Sequence, residues 1–239
     1  MSVLTLVRHG QASFFADEYD QLTPLGEQQS QLLGEYWVRH GVRFDAVYTG
    51  PRARQQRSAE FAGTAFRQAG QPWPEPVVLP DLDEFDLHGL FHQLAPELRS
   101  QSAEFLQLFD GYRQSAGEND RLRTFQRMFE SLLLHWQALP TGEVRFESWP
   151  RFRDRVERAL LQVAQPAAPG RRIVMFTSGG FIGNAARWAL AAPDRSALEL
   201  AWRLRNAAVT EFVFTDDRFT LDSFNTVPHL QDPALWTYR

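Results

Sequence analysis

Short apolar runs and longer stripes of hydrophobic residues alternate along most of the chain. Val3–Val7, Phe44–Thr49 and Ile173–Thr177 are rich in β-branched and aliphatic residues, which is typical of buried strands. A turn of small residues and then an amphipathic stretch follows each of them. This alternation predicts an α/β fold with a mostly parallel central sheet.

The stretch after the first strand carries clear helix signals. Thr23-Pro24 is an N-cap followed by proline in the first turn, and Gly41 is placed to end the helix. One apolar helical face is expected between them, made of Leu25, Leu32, Leu33, Tyr36 and Trp37. Gly50-Pro51 begins a second helix in the same way.

The last third of the chain repeats this logic. A helix is expected from Glu147 to Val163, and another, Phe181–Leu190, follows the last parallel strand. Val209–Phe214 and Phe219–Phe224 predict an antiparallel hairpin at the edge of the sheet.

A long helical pattern from Leu94 to Leu139 interrupts the α/β order. Residues 111–119 divide it into two helices, so we expect an inserted helical hairpin within about 88–146. Such an insertion acts either as a lid over a site or as plain packing. We expect residues 1–239 to form a single domain.

Composition limits the chemistry. The 25 residues counted as Lys+Arg are all arginine and there is no cysteine, which excludes catalytic lysines, thiolate catalysis and thiolate metal sites. A net charge of -4 argues against sequence-independent nucleic-acid binding. No apolar run is long enough to span a membrane, so we expect no membrane partner and a cytoplasmic protein. The oligomeric state stays open.

Arg8-His9-Gly10 ends the first strand, at the edge where open α/β sheets collect ligands. An imidazole beside a fixed guanidinium suits attack on a dianionic phosphate. The alternative is that Arg8 and His9 merely end a strand.

Two further stretches offer matching chemistry. Arg54 lies in the first turn of the second helix, where free amides favour an anion, with Arg52 and Arg57 nearby. They form either an anion site or a solvated basic face. Glu84 belongs to an acidic stretch, 81–89, that supplies either a proton donor or a solvated loop.

In order and spacing, these stretches resemble the histidine phosphatase superfamily, also called the phosphoglycerate mutase-like family. Leu6-Val7-Arg8-His9-Gly10 is similar to its signature, and Thr49–Glu60 and Leu82-Asp83-Glu84 are similar to its next two segments. Looser segments resemble the family at 147–156, 206–210, 224–225 and 229–230. The resemblance implies a three-layer α/β/α fold with a helical insertion.

The resemblance also implies roles. His9 would be the nucleophile that becomes phosphohistidine, Arg8 and Arg54 would hold the phosphoryl oxygens, and Glu84 would protonate the leaving alcohol. Ser178 and the Gly179 amide would contact the same anion. A small phosphorylated substrate is implied, and neither a metal nor another cofactor is required.

One position departs from the pattern. Thr177-Ser178-Gly179-Gly180 places a serine where the family usually has its second catalytic histidine. His88, His92 or His229 would compensate only if the fold brought one of them to the site. The chain is therefore either a phosphatase acting on a small phosphomonoester, with mutase activity the less favoured reaction, or a weakened relative. The weakened relative would bind a phosphorylated ligand or protein in a regulatory role.

Overall fold

A six-stranded sheet organises the computed structural model, which describes residues 1–13, 20–142, 144–164 and 170–238. The strands are β1 (Ser2–Arg8), β2 (Ala46–Thr49), β3 (Val77–Val78), β4 (Arg172–Thr177), β5 (Val209–Phe214) and β6 (Phe219–Thr226). Their order in the sheet is β3-β2-β4-β1-β5-β6.

Strand direction follows the sequence-based prediction. β1 pairs with β4, β4 with β2 and β2 with β3 in parallel, while β5 is antiparallel to both β1 and β6. The sheet is therefore mostly parallel with an antiparallel hairpin at one edge, and the α/β prediction is confirmed.

Nine α-helices lie within the described ranges. They are α1 (Pro24–Arg39), α2 (Ala53–Gln68), α3 (Leu87–Gly89), α4 (Ala95–Gln101), α5 (Ala103–Arg113), α6 (Glu118–Ala138), α7 (Trp149–Ala164), α8 (Gly179–Ala189) and α9 (Asp194–Trp202). None of them has the length and apolar character needed to cross a membrane.

The chain divides into two compact units. The first contains the sheet and comprises Met1–Glu84 and Val156–Arg239, and the second comprises Phe85–Arg155. The second unit contains the residues of the expected helical insertion, about 88–146, whose bounds stay a prediction. Whether residues 1–239 behave as one domain stays a prediction, and so does a role of the insertion as a lid.

In the first unit, alternate residues of the strands face different helices. Val7, Val174 and Phe176 join one buried cluster with Leu33 of α1 and Phe66 of α2. The capping prediction for α1 holds, because the amide of Gly26 donates to Oγ1 of Thr23 at 3.1 Å.

The residues that alternate with these on the strands point to the other face of the sheet. Leu4, Leu6, Ile173 and Met175 are fully buried there. Helix α8 contacts β1 and β6, and α9 packs on α8. Gly183 allows this, since a Cβ there would lie 2.2 Å from the carbonyl oxygen of Ala197. Helices, sheet and helices thus form three layers.

The second unit has an aromatic core and one break more than expected. Trp136, Trp149 and Phe152 are buried against one another. Ser102 separates α4 from α5, and its Oγ accepts the amide of Phe105 at 3.2 Å. The expected pair of helices is therefore three, because a serine cap interrupted an otherwise continuous apolar pattern.

Candidate active site

The carboxyl ends of β1, β2 and β4 meet at one edge of the sheet. Arg8 and Thr177 are partners in the parallel register, and the amide of His9 donates to the carbonyl of Thr177 at 3.0 Å. The amide of Gly50, after β2, donates to the carbonyl of Phe176 at 3.0 Å. The loops that follow these strands therefore begin side by side.

His9 is fixed mainly through its backbone. Its carbonyl accepts the amide of Ala207 at 3.2 Å and Nδ2 of Asn206 at 3.3 Å. The ring is buried, and Nδ1 lies 2.8 Å from the carbonyl of Gly10. Since a carbonyl only accepts, Nδ1 carries the hydrogen and Nε2 keeps its lone pair.

Burial and two arginines set the protonation of His9. Desolvation, then the charges of Arg54 and Arg8, hold the pKa of His9 well below 6.5, against a smaller opposing effect of the hydrogen bond to Gly10. The imidazole is therefore neutral at neutral pH, which is the form that acts as a nucleophile.

The turn beside His9 leaves no space for a side chain. A Cβ on Gly10 would lie 2.2 Å from the carbonyl oxygen of Gly26, so the loop and the start of α1 meet backbone to backbone. The amide of Gly10 donates to Oγ of Ser58 on α2 at 3.0 Å. This close approach explains the glycine after the histidine better than free turning does.

Arg54 reaches His9 directly from the first turn of α2. Its Nε donates to Nε2 of His9 at 3.1 Å, and the side chain is only 3% exposed. One terminal nitrogen pairs with Asp20 at 2.7 Å, and the same carboxylate accepts the amide of Ala53 at 2.7 Å. Asp20 is a candidate site residue that the sequence analysis did not single out.

Arg8 approaches the same edge from β1. Its guanidinium donates to the carbonyl of Leu204, and a Cβ on Gly179 would lie 3.7 Å from its Nε. The small residue at the start of α8 thus leaves room beside the charge. The structure brings Arg8, His9, Arg54 and Gly179 to one sheet edge.

Glu84 also joins this edge. Its Oε2 accepts the amide of Gly180, in the first turn of α8, at 3.1 Å. The preceding residue, Asp83, forms an ion pair with Arg52 at 2.6 Å and so ties this segment to the start of α2. Arg52 therefore supports the acidic segment.

Ser178 has a partner that the sequence did not indicate. Nε2 of Gln55 donates to its Oγ at 2.8 Å, and both side chains are fully buried. Gln55 follows Arg54 and looks like an ordinary polar residue of α2. Only the long-range contact reveals its place.

The remaining candidates lie elsewhere or serve other contacts. Arg57 is half exposed and pairs with Glu60, as a solvated basic face predicts. His88 and His92 lie in the second unit, where their rings stack 4.3 Å apart.

His229 is buried between α1 and the C-terminal segment. It lines a cavity of about 310 Å³ with Leu32, Tyr36 and Leu235. Burial lowers the pKa of His229 to about 3, and neither ring nitrogen has a hydrogen-bond partner in the part of the chain that the structure describes. It is therefore a neutral core residue.

This arrangement suits a small dianion better than a metal ion. Two guanidiniums and a neutral imidazole lie at one sheet edge, where a phosphoryl group would find positive charge and guanidinium N–H donors. Over residues 1–13, 20–142, 144–164 and 170–238, no group of three His, Cys, Asp or Glu residues is placed to hold a metal.

Comparisons with known proteins give a family match and a fold match. The family model of the histidine phosphatase superfamily (branch 1) matches residues 4–138 and 116–227. No curated protein sequence matches the chain.

Three solved structures illustrate the shared fold. An alpha-ribazole phosphatase from Shigella flexneri has a TM-score of 0.61 at 19% identity, covering 94% of this chain and 96% of that one. A phosphoserine phosphatase mutant from Entamoeba histolytica in complex with phosphoserine has a TM-score of 0.59 at 20% identity, covering 96% and 100%. A phosphoglycerate mutase from Bacillus anthracis has a TM-score of 0.63 at 18% identity, covering 96% and 95%.

Proposed function

Because the chain belongs to the histidine phosphatase superfamily, we propose that it hydrolyses a small phosphomonoester through a phosphohistidine on His9. The observation that carries the proposal is the contact of 3.1 Å between Nε of Arg54 and Nε2 of His9. It places a neutral nucleophilic nitrogen beside a permanent positive charge, which is the pairing that attack on a phosphate dianion needs.

The reaction has two steps. In the first, Nε2 of His9 forms a bond to phosphorus, the bond to the leaving alcohol breaks, and Glu84 gives its proton to the departing oxygen. Arg8 and Arg54 neutralise the phosphoryl oxygens while charge builds up on them.

In the second step water attacks the phosphohistidine. Glu84, now a carboxylate, takes one proton from the water, inorganic phosphate leaves, and His9 returns to its neutral form. Nδ1 keeps its hydrogen on the Gly10 carbonyl throughout, so the ring stays in one orientation. No metal or other cofactor enters either step.

Hydrolysis of p-nitrophenyl phosphate tests this proposal. The wild type should release phosphate, and His9→Ala should lose this activity. His40→Ala is the matched control, because His40 lies at the exposed end of α1 with Nδ1 on the carbonyl of Tyr36. Equal rates for wild type and His9→Ala would disprove the assignment.

Trapping the intermediate tests the nucleophile itself. After an acid-free quench with labelled substrate, the label should be found on His9 as an acid-labile adduct. A label on any other residue would show that His9 is not the nucleophile.

One observation favours a second candidate function. Ser178 and Gln55 form a neutral pair at the position where the resemblance implies a cationic histidine. A weakened family member would use Arg8 and Arg54 to bind a phosphorylated ligand or protein without turnover. Tight binding of inorganic phosphate with no hydrolysis by the wild type would support this alternative.

The proposal also covers the substrate class, the partners and the cellular location. The substrate is a small phosphorylated molecule, the partner set includes neither nucleic acid nor membrane, and the location is cytoplasmic. Cell fractionation would test the location.

A further inference from the structure

Gln55 and Ser178 are two fully buried polar side chains that the proposed reaction leaves without a role. β1 and β4 run in register up to Arg8 and Thr177. The next residues, His9 and Ser178, therefore lie on neighbouring chains about 5 Å apart. The serine hydroxyl belongs to the same sheet edge as the nucleophile.

The hydrogen bonds of Gln55 fix the orientation of its carboxamide. Oε1 accepts the amide of Arg52 at 3.1 Å, and this contact is possible only for the oxygen. Nε2 must then be the atom that faces Ser178 at 2.8 Å. Gln55 is the donor and the serine oxygen is the acceptor.

This direction determines where the serine proton goes. A hydroxyl has one hydrogen to donate, and Ser178 does not need its hydrogen for Gln55. Within the described part of the chain, its side chain neither caps α8 nor donates to another group. The hydroxyl hydrogen is therefore available to a ligand that reaches Ser178 from the sheet edge where Arg8 borders Gly179.

Gln55 has little freedom to move from this position. A Cβ on Gly50 would lie 2.1 Å from Oε1 of Gln55, so the carboxamide already fills the space above that glycine. On its other side Nε2 lies 3.4 Å from the carbonyl of Leu82. The amide is held from three directions and in turn holds the hydroxyl.

We propose that Gln55 and Ser178 act as one neutral unit, in which Gln55 positions the Ser178 hydroxyl to donate a hydrogen bond to a phosphoryl oxygen. This inference rests on the proposed function for the identity of the anion. The anion contact of Ser178 is the one that the resemblance implies, and the new element is Gln55 as its positioning residue. The unit carries no charge at any working pH, so binding through it does not titrate.

Calorimetric binding of inorganic phosphate tests the unit without requiring turnover. Ser178→Ala should weaken phosphate binding about tenfold, the usual scale for one hydrogen bond to an anion. Gln55→Met, which keeps the length of the side chain, should weaken it to a similar degree. The double variant should bind no worse than either single variant, because both changes remove the same hydrogen bond.

The rates at which the same variants hydrolyse p-nitrophenyl phosphate are also compared. Gln56→Met is the matched control, since Gln56 is exposed and donates to the carbonyl of Pro51. Circular dichroism checks that each variant folds, and Gln55→Ala replaces Gln55→Met if the latter does not fold. Unchanged phosphate affinity in Ser178→Ala, or losses that multiply in the double variant, would overturn the proposal. A different result would show that the proposed function is wrong. His9→Ala would then hydrolyse substrate like the wild type, while Gln55→Met and Ser178→Ala would still be non-additive in phosphate affinity.

Discussion

Arg54 donates its Nε hydrogen to Nε2 of His9, the nitrogen whose lone pair the proposed reaction uses. The guanidinium thus lies in the direction from which phosphorus would approach this nitrogen in the proposed reaction. In that reaction, Arg54 would exchange this contact for one with a phosphoryl oxygen, and the lone pair of Nε2 would then be available for attack.

Arg54→Met should change both the rate and the titration of His9. We expect kcat/KM to fall about 100-fold or more, because a charged donor to the transferring group is lost. The pKa of His9 should rise towards 6.5 but stay below it, since burial remains the larger cause. Imidazole NMR shifts against pH measure this directly. Arg57→Met, on the exposed side of the same helix, should leave both unchanged.

Glu84→Gln should affect substrates according to their leaving group. An alkyl phosphate needs the proton of Glu84 in the first step, so its kcat/KM should fall by about 10² to 10⁴. The kcat/KM of an aryl phosphate whose phenolate leaves readily should fall much less, whereas the second step needs Glu84 for either substrate, so kcat falls for both. Steady-state kinetics with both substrates check this, and Glu60→Gln on α2 is the control. Equal losses in kcat/KM for the two substrates would argue that Glu84 has another role.

A histidine at position 178 should act only when Gln55 makes room for it. Ser178→His alone would place an imidazole against a carboxamide that is fixed by Gly50, Arg52 and Leu82. We expect little activity from that variant. Gln55→Ala combined with Ser178→His should exceed both singles and approach or pass the wild type in kcat for p-nitrophenyl phosphate. Higher activity from Ser178→His alone would show that the space already exists.

His229 should cost stability in acid. Its folded pKa of about 3 lies below the ordinary 6.5, so between these values the unfolded chain binds a proton that the folded protein does not. Stability from this group is complete above 6.5 and falls by about 1.4 kcal/mol per unit as the pH drops towards 3. Urea unfolding of wild type and His229→Leu from pH 4 to 7 measures it.

Wild type and His229→Leu should differ mainly in how steeply the free energy of unfolding changes with pH. His229→Leu removes two buried nitrogens that have no recorded partner among the described residues, so its stability at pH 7 should match the wild type or exceed it by about 1 kcal/mol. Both proteins share the acid sensitivity of His9. A wild-type slope in the variant, or a loss of more than about 2 kcal/mol at pH 7, would contradict this reading of His229.

Local patterns identified most elements because their signals lie within a few residues. The apolar run at Val3–Val7 and the Thr23-Pro24 cap predicted β1 and α1 with bounds close to those observed. Helix α9 was missed because its stripe of buried residues is short, with Ala197 and Leu198 as its fully buried members. The break at Ser102 was missed because the helical spacing continues on both sides of it.

The candidate site residues also divide into those with a local sequence signal and those whose role depends on a distant contact. Arg8, His9, Arg54 and Glu84 were predicted as site residues because each stands in a short stretch that resembles a family segment. Gln55 was not predicted as a site residue because its partner, Ser178, lies 123 residues away. The neighbouring sequence does not distinguish a buried glutamine from an exposed one. The role of Asp20 likewise depends on α2, 34 residues further along the chain.

The hydrogen bonds that fix the backbone at His9 make a variant without the imidazole suitable for capturing the unknown substrate. The backbone of His9 and Gly10 is held by the carbonyl of Thr177, the amide of Ala207 and the side chains of Asn206 and Ser58. None of these hydrogen bonds is made by the imidazole ring. His9→Ala should therefore keep both arginines and the shape of the anion pocket while losing the nucleophile. Immobilised as bait in a metabolite extract, it would retain the phosphorylated compound that the wild type would consume.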